Sequence, residues 1–243
     1  GRDCATDPAS DFSLGIAERW IISRLQVTEA EIDQHLAGYR LDLAAQALYD
    51  FVWHAYCDWY LEFAKVTLQT SESPAVLRGT RRTLVRVLET LLRLAHPMMP
   101  FVTEEIWQQV APLAGVEGPS IMRRPFPEAE PERQDPPAEA DIAWVQEVVL
   151  GIRRIRGEMD IAPGKPLPAL LQNAGEQDLA RLEQHGQTIC RLARLTSLEV
   201  AADDSSARES AIALVGGMQV LVPMAGLIDR DAELQRLTRE QDK

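Results

Sequence analysis

The sequence lacks the residue patterns of the common catalytic and metal sites. Its three cysteines, Cys4, Cys57 and Cys190, are scattered and do not have the spacing of metal ligands. The four histidines also lie far apart, without the partner spacing that metal or nucleophile chemistry requires. The phosphate-binding motifs G-x-x-x-x-G-K-[ST] and G-x-G-x-x-G do not occur. A free-standing enzyme is therefore the least favoured class, and we predict no catalytic residue and no metal site.

Long apolar segments are absent as well. No apolar run approaches the roughly 18 residues of a membrane-spanning helix, and no signal-peptide pattern is present. The odd number of cysteines fits reduced thiols in a reducing compartment. We therefore expect a cytoplasmic, monomeric protein without a membrane partner.

The net charge of −12 argues against general nucleic-acid binding, but the charges are segregated. Residues 127–141 contain six acidic residues, four prolines and one arginine, a composition typical of a linker. Residues 74–93 contain five arginines and one glutamate, so this part of the chain has a local basic face. An acidic protein can bind RNA through such a face.

Residues 41–68 are predicted to form one long helix, because apolar residues recur there in steps of three and four. A second apolar row widens this stripe, and we interpret its aromatic rings as core rather than as a platform for bases. A helix that is apolar over most of its circumference needs neighbours on several sides, so we expect it to be the central rod of a bundle. The second row consists of Tyr49, Trp53, Tyr56 and Tyr60.

Periodicity and turn residues predict the other elements of a mainly α fold. We expect a first helix over residues 13–36, a third from 74 to 95 after an N-cap at Ser73, and a fourth beginning at Pro100 with Phe101 and Trp107 in the core. A small α+β domain should follow the bundle, and then the start of a coiled coil. Its predicted elements are helices over 138–159 and 176–193, strands near 167–173 and 197–201, and a hairpin around Gly216 and Gly217.

The strongest functional signal is a row of arginines on the third helix. Arg78, Arg82, Arg86 and Arg93 are spaced by 4, 4 and 7 residues, so they share one face, with Arg81 beside them. Rows of guanidinium groups suit phosphate oxygens, which accept bidentate hydrogen bonds. The alternative is a solvated face paired with acids of neighbouring helices. A second cluster, expected from the helix dipole alone, consists of Arg153, Arg154 and Arg156.

Trp20 lies off the apolar face of the first helix. Its position is roughly 120° from the centre of that face, beside Arg24. A tryptophan in this position either packs against a second element or binds a ligand.

Five segments occur in an order that closely resembles the C-terminal half of valyl-tRNA synthetases. The HP-x-x-PF-x-TEEIW element is also similar to isoleucyl and leucyl enzymes, whereas the IR-x-EM-x-IAPGK and PMAGLID-x-x-AEL elements favour the valyl enzyme. The resemblance extends from about residue 12 to the end. The segments are AERWIISRL, ALYDFVWHAYCDWYLEFAK, HPMMPFVTEEIWQ, IRRIRGEMDIAPGKPL and VPMAGLIDRDAEL.

The resemblance implies that the chain has three parts and no catalytic activity of its own. Residues 1–135 would be the helical anticodon-binding bundle with an acidic, proline-rich linker, 136–227 a small α/β domain, and 228–243 the start of a truncated coiled-coil arm. The family's HIGH and KMSKS signatures are missing. We therefore expect a catalytically inactive fragment without a cofactor of its own, whereas the full-length valine–tRNA ligase uses ATP and Mg²⁺.

The resemblance also implies where tRNA binds. In the family the anticodon loop is read near the start of the bundle, and Trp20 occupies the aromatic position of the RW-I-x-SRL segment, which makes it the candidate for stacking on a base. The expected partners are tRNA with a valine anticodon and the rest of the synthetase chain. Two alternatives stay open: the same module of an isoleucyl or leucyl enzyme, and a helical protein-interaction module without RNA binding. The candidate tRNA-binding residues are Arg2, Arg19, Trp20, Arg24, Arg78, Arg81, Arg82 and Arg86.

Overall fold

A computed structural model of the chain describes residues 11–201 and 210–224. They belong to two compact units, one up to Ile142 and the other from Ala143. The first unit is a bundle of helices and the second contains a four-stranded sheet, so the predicted mainly α fold with a small α+β region is confirmed. Arg2 and the expected coiled-coil arm from residue 228 lie outside the described residues.

The bundle begins with helices whose bounds agree with the periodicity of the sequence to within a few residues. Pro74 and Pro100 each occupy the first turn of a helix, where the missing N–H has no intrahelical partner to lose. Gly115 ends the last of these helices in the left-handed conformation, with φ of 71°. The elements are α1 (Ile16–Ala37), α2 (Leu41–Asp50), a π-helical segment (Phe51–Tyr60), α3 (Leu61–Thr70), α4 (Pro74–Ala95) and α5 (Pro100–Ala114).

The most enclosed helix of the bundle is α1, so the expectation that residues 41–68 form the central rod was wrong. Ten α1 residues are buried, against eight in the longer stretch from α2 to α3. Half of the ten are polar, and four of these five are hydrogen-bonded inside the protein, so a hydropathy pattern does not indicate their burial. For example, Thr80 on α4 donates to the Glu18 carboxylate over 2.9 Å.

The predicted long helix contains a ten-residue π-helix in its middle. A π-helix has i→i+5 hydrogen bonds and a wider turn than an α-helix, so the inward face follows a different spacing. Its buried residues Phe51, Tyr56 and Tyr60 are five and four positions apart. Tyr49 and Trp53, predicted as core, are instead about half exposed, and their rings stack at an interplanar angle of 9°.

The core position predicted for Trp107 is confirmed, but the one predicted for Phe101 is wrong. Phe101 is 91% exposed because the buried face of α5 passes through Thr103, Trp107 and Ala111, and a residue two positions before Thr103 points away from that face. The proline-rich segment after α5 packs onto the bundle. Ile121 joins the core around Trp107, and its N–H donates to the Glu104 carboxylate over 3.1 Å.

The second unit is a small sheet built around one crossover helix. Strands β1 and β2 are parallel, and α7 connects them, whereas β3 and β4 form the predicted antiparallel hairpin. Gly216 supplies the positive φ of 56° that the hairpin turn needs. The strand order is β2-β1-β4-β3. The elements from the end of the bundle onward are α6 (Pro136–Glu158), β1 (Leu167–Gln172), α7 (Glu176–Ala193), β2 (Leu195–Val200), β3 (Ser210–Val215) and β4 (Met218–Pro223).

One arginine of the second cluster has a structural role. Arg156 is buried and donates to the backbone carbonyl oxygens of Lys165 at 2.7 Å and of Ala193 and Arg194 at 3.0 Å each. Burial lowers the pKa of its guanidinium group, and Arg194 lowers it further. Arg156 therefore ties the end of α6 to the turn before β1 and to the end of α7.

Candidate nucleic-acid interface

The arginine row of α4 lies against the chain segment that precedes α1. The Arg78 Nε donates to the carbonyl oxygen of Asp11 over 2.8 Å. The guanidinium of Arg82 lies over the ring of Phe12, 4.9 Å from its centroid. Residues 11–13 thus cross the start of α4 and bring an aromatic ring to the middle of the arginine row.

Gly79 makes this close approach possible. The Ser13 N–H donates to the carbonyl oxygen of Ala75 over 3.1 Å, and a Cβ at Gly79 would lie 2.0 Å from the carbonyl oxygen of Ser13. Any side chain at position 79 would therefore push Phe12 away from α4. Neither Gly79 nor Phe12 was predicted as a site residue, because a single helical glycine does not indicate what packs against it.

A pocket of about 560 Å³ opens beside Arg82 and Arg86. Its size lies within the ~300–1,000 Å³ typical of small-molecule sites. Apolar side chains from α1, α4 and the segment after α5 form its walls, and they include Leu25, Val87 and Phe126. Four arginines and four glutamates line it: Arg82, Arg86, Arg93 and Arg133, and Glu29, Glu89, Glu128 and Glu130.

Arg86 is an exposed cation of this pocket. Within the described residues it has no hydrogen bond and no ion pair. Burial lowers the pKa of its guanidinium, and the positive charges of Arg82 and Arg133 lower it further, while Glu89 opposes the shift. Like charges are thus held near one another, and an anion bound among them would relieve their repulsion.

Arg93, the last member of the row, belongs to the protein core instead. Its guanidinium donates to both oxygens of the buried Glu89 at 3.0–3.1 Å, and Glu89 also accepts from the Trp107 indole N–H over 2.9 Å. Arg93 donates in addition to the carbonyl oxygen of Pro125 over 3.1 Å. It therefore attaches the segment after α5 to α4.

Glu29 of α1 lines the same pocket and is 95% buried, with a relative exposure of 5%. Among the residues that the structure describes, its Oε2 atom has no hydrogen-bond partner. Burial raises the pKa of Glu29 to about 7, against the lowering effect of Arg133 and Arg93. The sequence indicated nothing unusual about this carboxylate, because its burial depends on the segment that covers it.

Arg19 and Arg24, both predicted to bind tRNA, contact the start of α6 in the structure. The Arg19 Nε donates to Asp135 over 2.7 Å, and this bond lowers the pKa of the carboxyl. Arg24 Nη1 lies 3.6 Å from the Glu139 carboxylate. Asp135 also accepts from the Ala138 N–H, so it caps α6. These arginines contribute to the attachment of α1 to α6, a role that the sequence analysis did not assign.

Trp20 is buried, which agrees with the alternative that it packs against a second element and not with its candidate role in stacking on a base. Its side chain is 5% exposed and meets the ring of Phe63 edge to face, with centroids 6.1 Å apart. The angular position of Trp20 on α1 did not predict its burial. Because α1 is covered on several sides, a residue away from its apolar face still contacts another helix. A base cannot reach this ring in the described structure.

Two classes of site find no support in the part of the chain that the structure describes. No group of three or more His, Cys, Asp or Glu side chains there could hold a metal ion. Across residues 11–201 and 210–224, no helix combines the length and apolarity needed to cross a membrane.

A comparison with protein families gives a match over the bundle. A family model described as the anticodon-binding domain of tRNA ligase matches residues 18–171, which is more than half of the chain. The matched range covers the helices of the bundle from α1 onward, including Glu29 and the arginines of α4, and ends within β1. Phe12 lies just before it.

Proposed function

The chain belongs to the family of anticodon-binding domains of tRNA ligases, and from this premise we propose that it reads the anticodon of a valine tRNA as part of a valyl-tRNA synthetase. Membership in the family makes the chain a tRNA anticodon recognition module of an aminoacyl-tRNA synthetase. The choice of valine is supported by the segments IRRIRGEMDIAPGKPL and VPMAGLIDRDAEL, which resemble the valyl enzyme more than the isoleucyl or leucyl enzymes. The full-length enzyme would attach valine to this tRNA with ATP and Mg²⁺.

The observation that carries the proposed binding surface is the guanidinium cluster of Arg82, Arg86 and Arg133. Glutamates line the same pocket, and Arg133 is paired with Glu130 at 2.9 Å. Arg86, in contrast, has neither a hydrogen bond nor an ion pair within the described residues, although the protein has a net charge of −12. Phosphate oxygens are the acceptors that such a cluster binds best. Arg78 and Arg81 extend the same helix toward its start and would meet neighbouring phosphates.

Retention of tRNA by the isolated chain tests this function. Total tRNA is passed over the protein in a filter-binding assay, and the retained species are identified by the amino acid that full-length synthetases attach to them. We expect enrichment of valine-accepting tRNA. Enrichment of isoleucine or leucine acceptors would contradict the valine assignment, and a lack of any retention would favour a protein-interaction module.

A further inference from the structure

The pocket beside Arg86 has features that a site for phosphate alone does not need. Glu29 lies on its lining and is 95% buried, and no donor from residues 11–201 or 210–224 reaches its Oε2 atom. A buried acceptor without a partner costs free energy, and this cost is recovered when a ligand donates a hydrogen bond to it. The pocket thus combines three things: an unsatisfied acceptor inside, apolar walls around it, and cations at Arg82 and Arg86.

A nucleotide has the groups that match these three features. A base has a flat apolar face for the walls that Phe12, Leu25 and Phe126 contribute, and its amino group can donate to a carboxylate. Its phosphate would meet the guanidinium groups of Arg82 and Arg86. The volume of about 560 Å³ is that of a site for one small molecule, not a groove for a strand.

We infer that the pocket holds one unpaired nucleotide of bound tRNA, with an amino-bearing base against Glu29 and its phosphate on the cluster of Arg82, Arg86 and Arg133. This inference rests on the proposed function and adds one specific subsite to it. Adenine, cytosine and guanine carry the required amino group, whereas uracil does not. Phe12 is brought to the site by the docking of residues 11–13 at Gly79.

Chemical probing of the bases of the anticodon loop tests this subsite. A tRNA transcript with a valine anticodon is bound to the chain, and reagents that attack the Watson–Crick edges of bases report which ones are covered. We expect one amino-bearing base of the loop to be protected. Thr90→Phe, which places a ring in the pocket from α4, should abolish that protection and weaken binding about 5- to 150-fold, the range for losing one stacked base.

Matched variants separate the pocket from general damage. Glu29→Gln keeps the shape of the side chain but removes its charge and replaces one of its two acceptor oxygens with a donating amide NH2, so it should also reduce the protection. Glu31→Gln changes an exposed carboxylate on the same helix and should leave protection and affinity unchanged. Thr70→Phe adds the same ring at an exposed site on α3 and should bind like the unmodified chain. If Thr90→Phe does not fold, as judged by its denaturation midpoint, Glu29→Gln decides.

The outcomes distinguish this inference from the function on which it rests. Unchanged affinity and unchanged protection in folded Thr90→Phe and Glu29→Gln would overturn the subsite and leave anticodon recognition standing. Protection of a uridine alone would overturn the assignment of an amino-bearing base. Failure of the unmodified chain to bind any tRNA would overturn both proposals.

Discussion

Trp20 and Trp53 are one kind of residue in opposite environments. Trp20 is 5% exposed against Phe63, whereas Trp53 is 52% exposed beside Tyr49. Emptying a buried tryptophan site costs about 3–5 kcal/mol, so Trp20→Ala should lower the free energy of unfolding by this amount. Trp53→Ala should lower it by only about 1 kcal/mol. Urea denaturation of both variants measures the difference.

The tRNA affinity of Trp20→Ala is a second test of where this ring lies. Because Trp20 faces the core, the fraction of Trp20→Ala that folds should bind tRNA as the unmodified chain does. A variant that keeps its stability but loses tRNA affinity would show that the ring contacts a base and would contradict its burial.

Glu29 should make the stability of the bundle depend on pH. Its pKa is raised from 4.5 to about 7, so between these two pH values the folded protein holds a proton that the unfolded chain has released. Stabilisation is therefore complete below about pH 4.5 and is lost as the pH rises to about 7. The groups that face Glu29 are Arg93 on α4, Arg133 and Glu130 after α5, and Gln26 on α1 itself.

The variant Glu29→Gln tests this pH dependence. Across the interval from pH 5 to 8 its free energy of unfolding should fall less steeply, and at pH 8 it should exceed that of the unmodified protein by at most about 3 kcal/mol. The buried Glu18, whose pKa is also raised by burial, should leave a smaller slope of the same sign. Parallel pH profiles of Glu29→Gln and the unmodified chain would contradict the assignment.

For single residues, the sequence predicted burial correctly where the residue's own apolar spacing determines it. It failed where contacts with distant parts of the chain determine it. Trp107 follows an apolar spacing and was correctly placed in the core. Glu29 and Ser23 are buried because partners or covering segments from distant parts of the chain surround them, and no local pattern reports this. The arginine spacing on α4 predicted a shared face, but not that Arg93 would be bound to Glu89.

At the scale of elements, one added carbon atom at position 79 should disrupt the contact between residues 11–13 and α4. Gly79→Ala places a Cβ against the Ser13 carbonyl and should destabilise the bundle by about 1–3 kcal/mol, the usual cost of overpacking. It should also weaken tRNA binding, because Phe12 leaves the pocket. Gly157→Ala is the matched control, since no atom lies within 4 Å of its added Cβ and alanine favours a helix by about 1 kcal/mol.

Thermal melting and tRNA affinity of the two alanine variants give a direct comparison. Opposite signs of the stability change are the expected result. Equal stabilisation of both variants would mean that residues 11–13 do not dock at Gly79.

Element boundaries were largely predictable, because proline and glycine mark helix ends by their own backbone chemistry. Pro74 and Pro100 begin helices, and Gly216 forms the hairpin turn, as expected from the sequence. The π-helix was not predictable, since α and π segments have the same composition and differ only in hydrogen-bond register. Trp53, which lies in the π-helix, is about half exposed.

For the whole molecule, the balance between a local basic site and an acidic protein should appear in the salt dependence of tRNA binding. Each phosphate that an arginine neutralises adds about one to the slope of log K against log salt. Arg86→Ala should therefore weaken binding and reduce this slope by about one. Arg40→Ala removes an arginine that is paired with Asp42 and does not line the pocket, and it should leave the slope unchanged.

Filter binding over a series of salt concentrations measures both slopes. Equal slopes for Arg86→Ala and the unmodified chain would remove Arg86 from the RNA-binding surface, even if the variant bound more weakly.

The most direct test of anticodon recognition is a nucleotide-resolution footprint of the chain on tRNA with a valine anticodon. Cleavage of the backbone by hydroxyl radicals, with and without protein, reports which riboses are covered. We expect protection in the anticodon stem and loop. We expect this protection to be lost in Arg86→Glu, which reverses the charge of a cation that has no ion pair within the described residues. Protection confined to the acceptor stem, or an anticodon loop that is cleaved equally with and without the protein, would contradict anticodon recognition by this bundle.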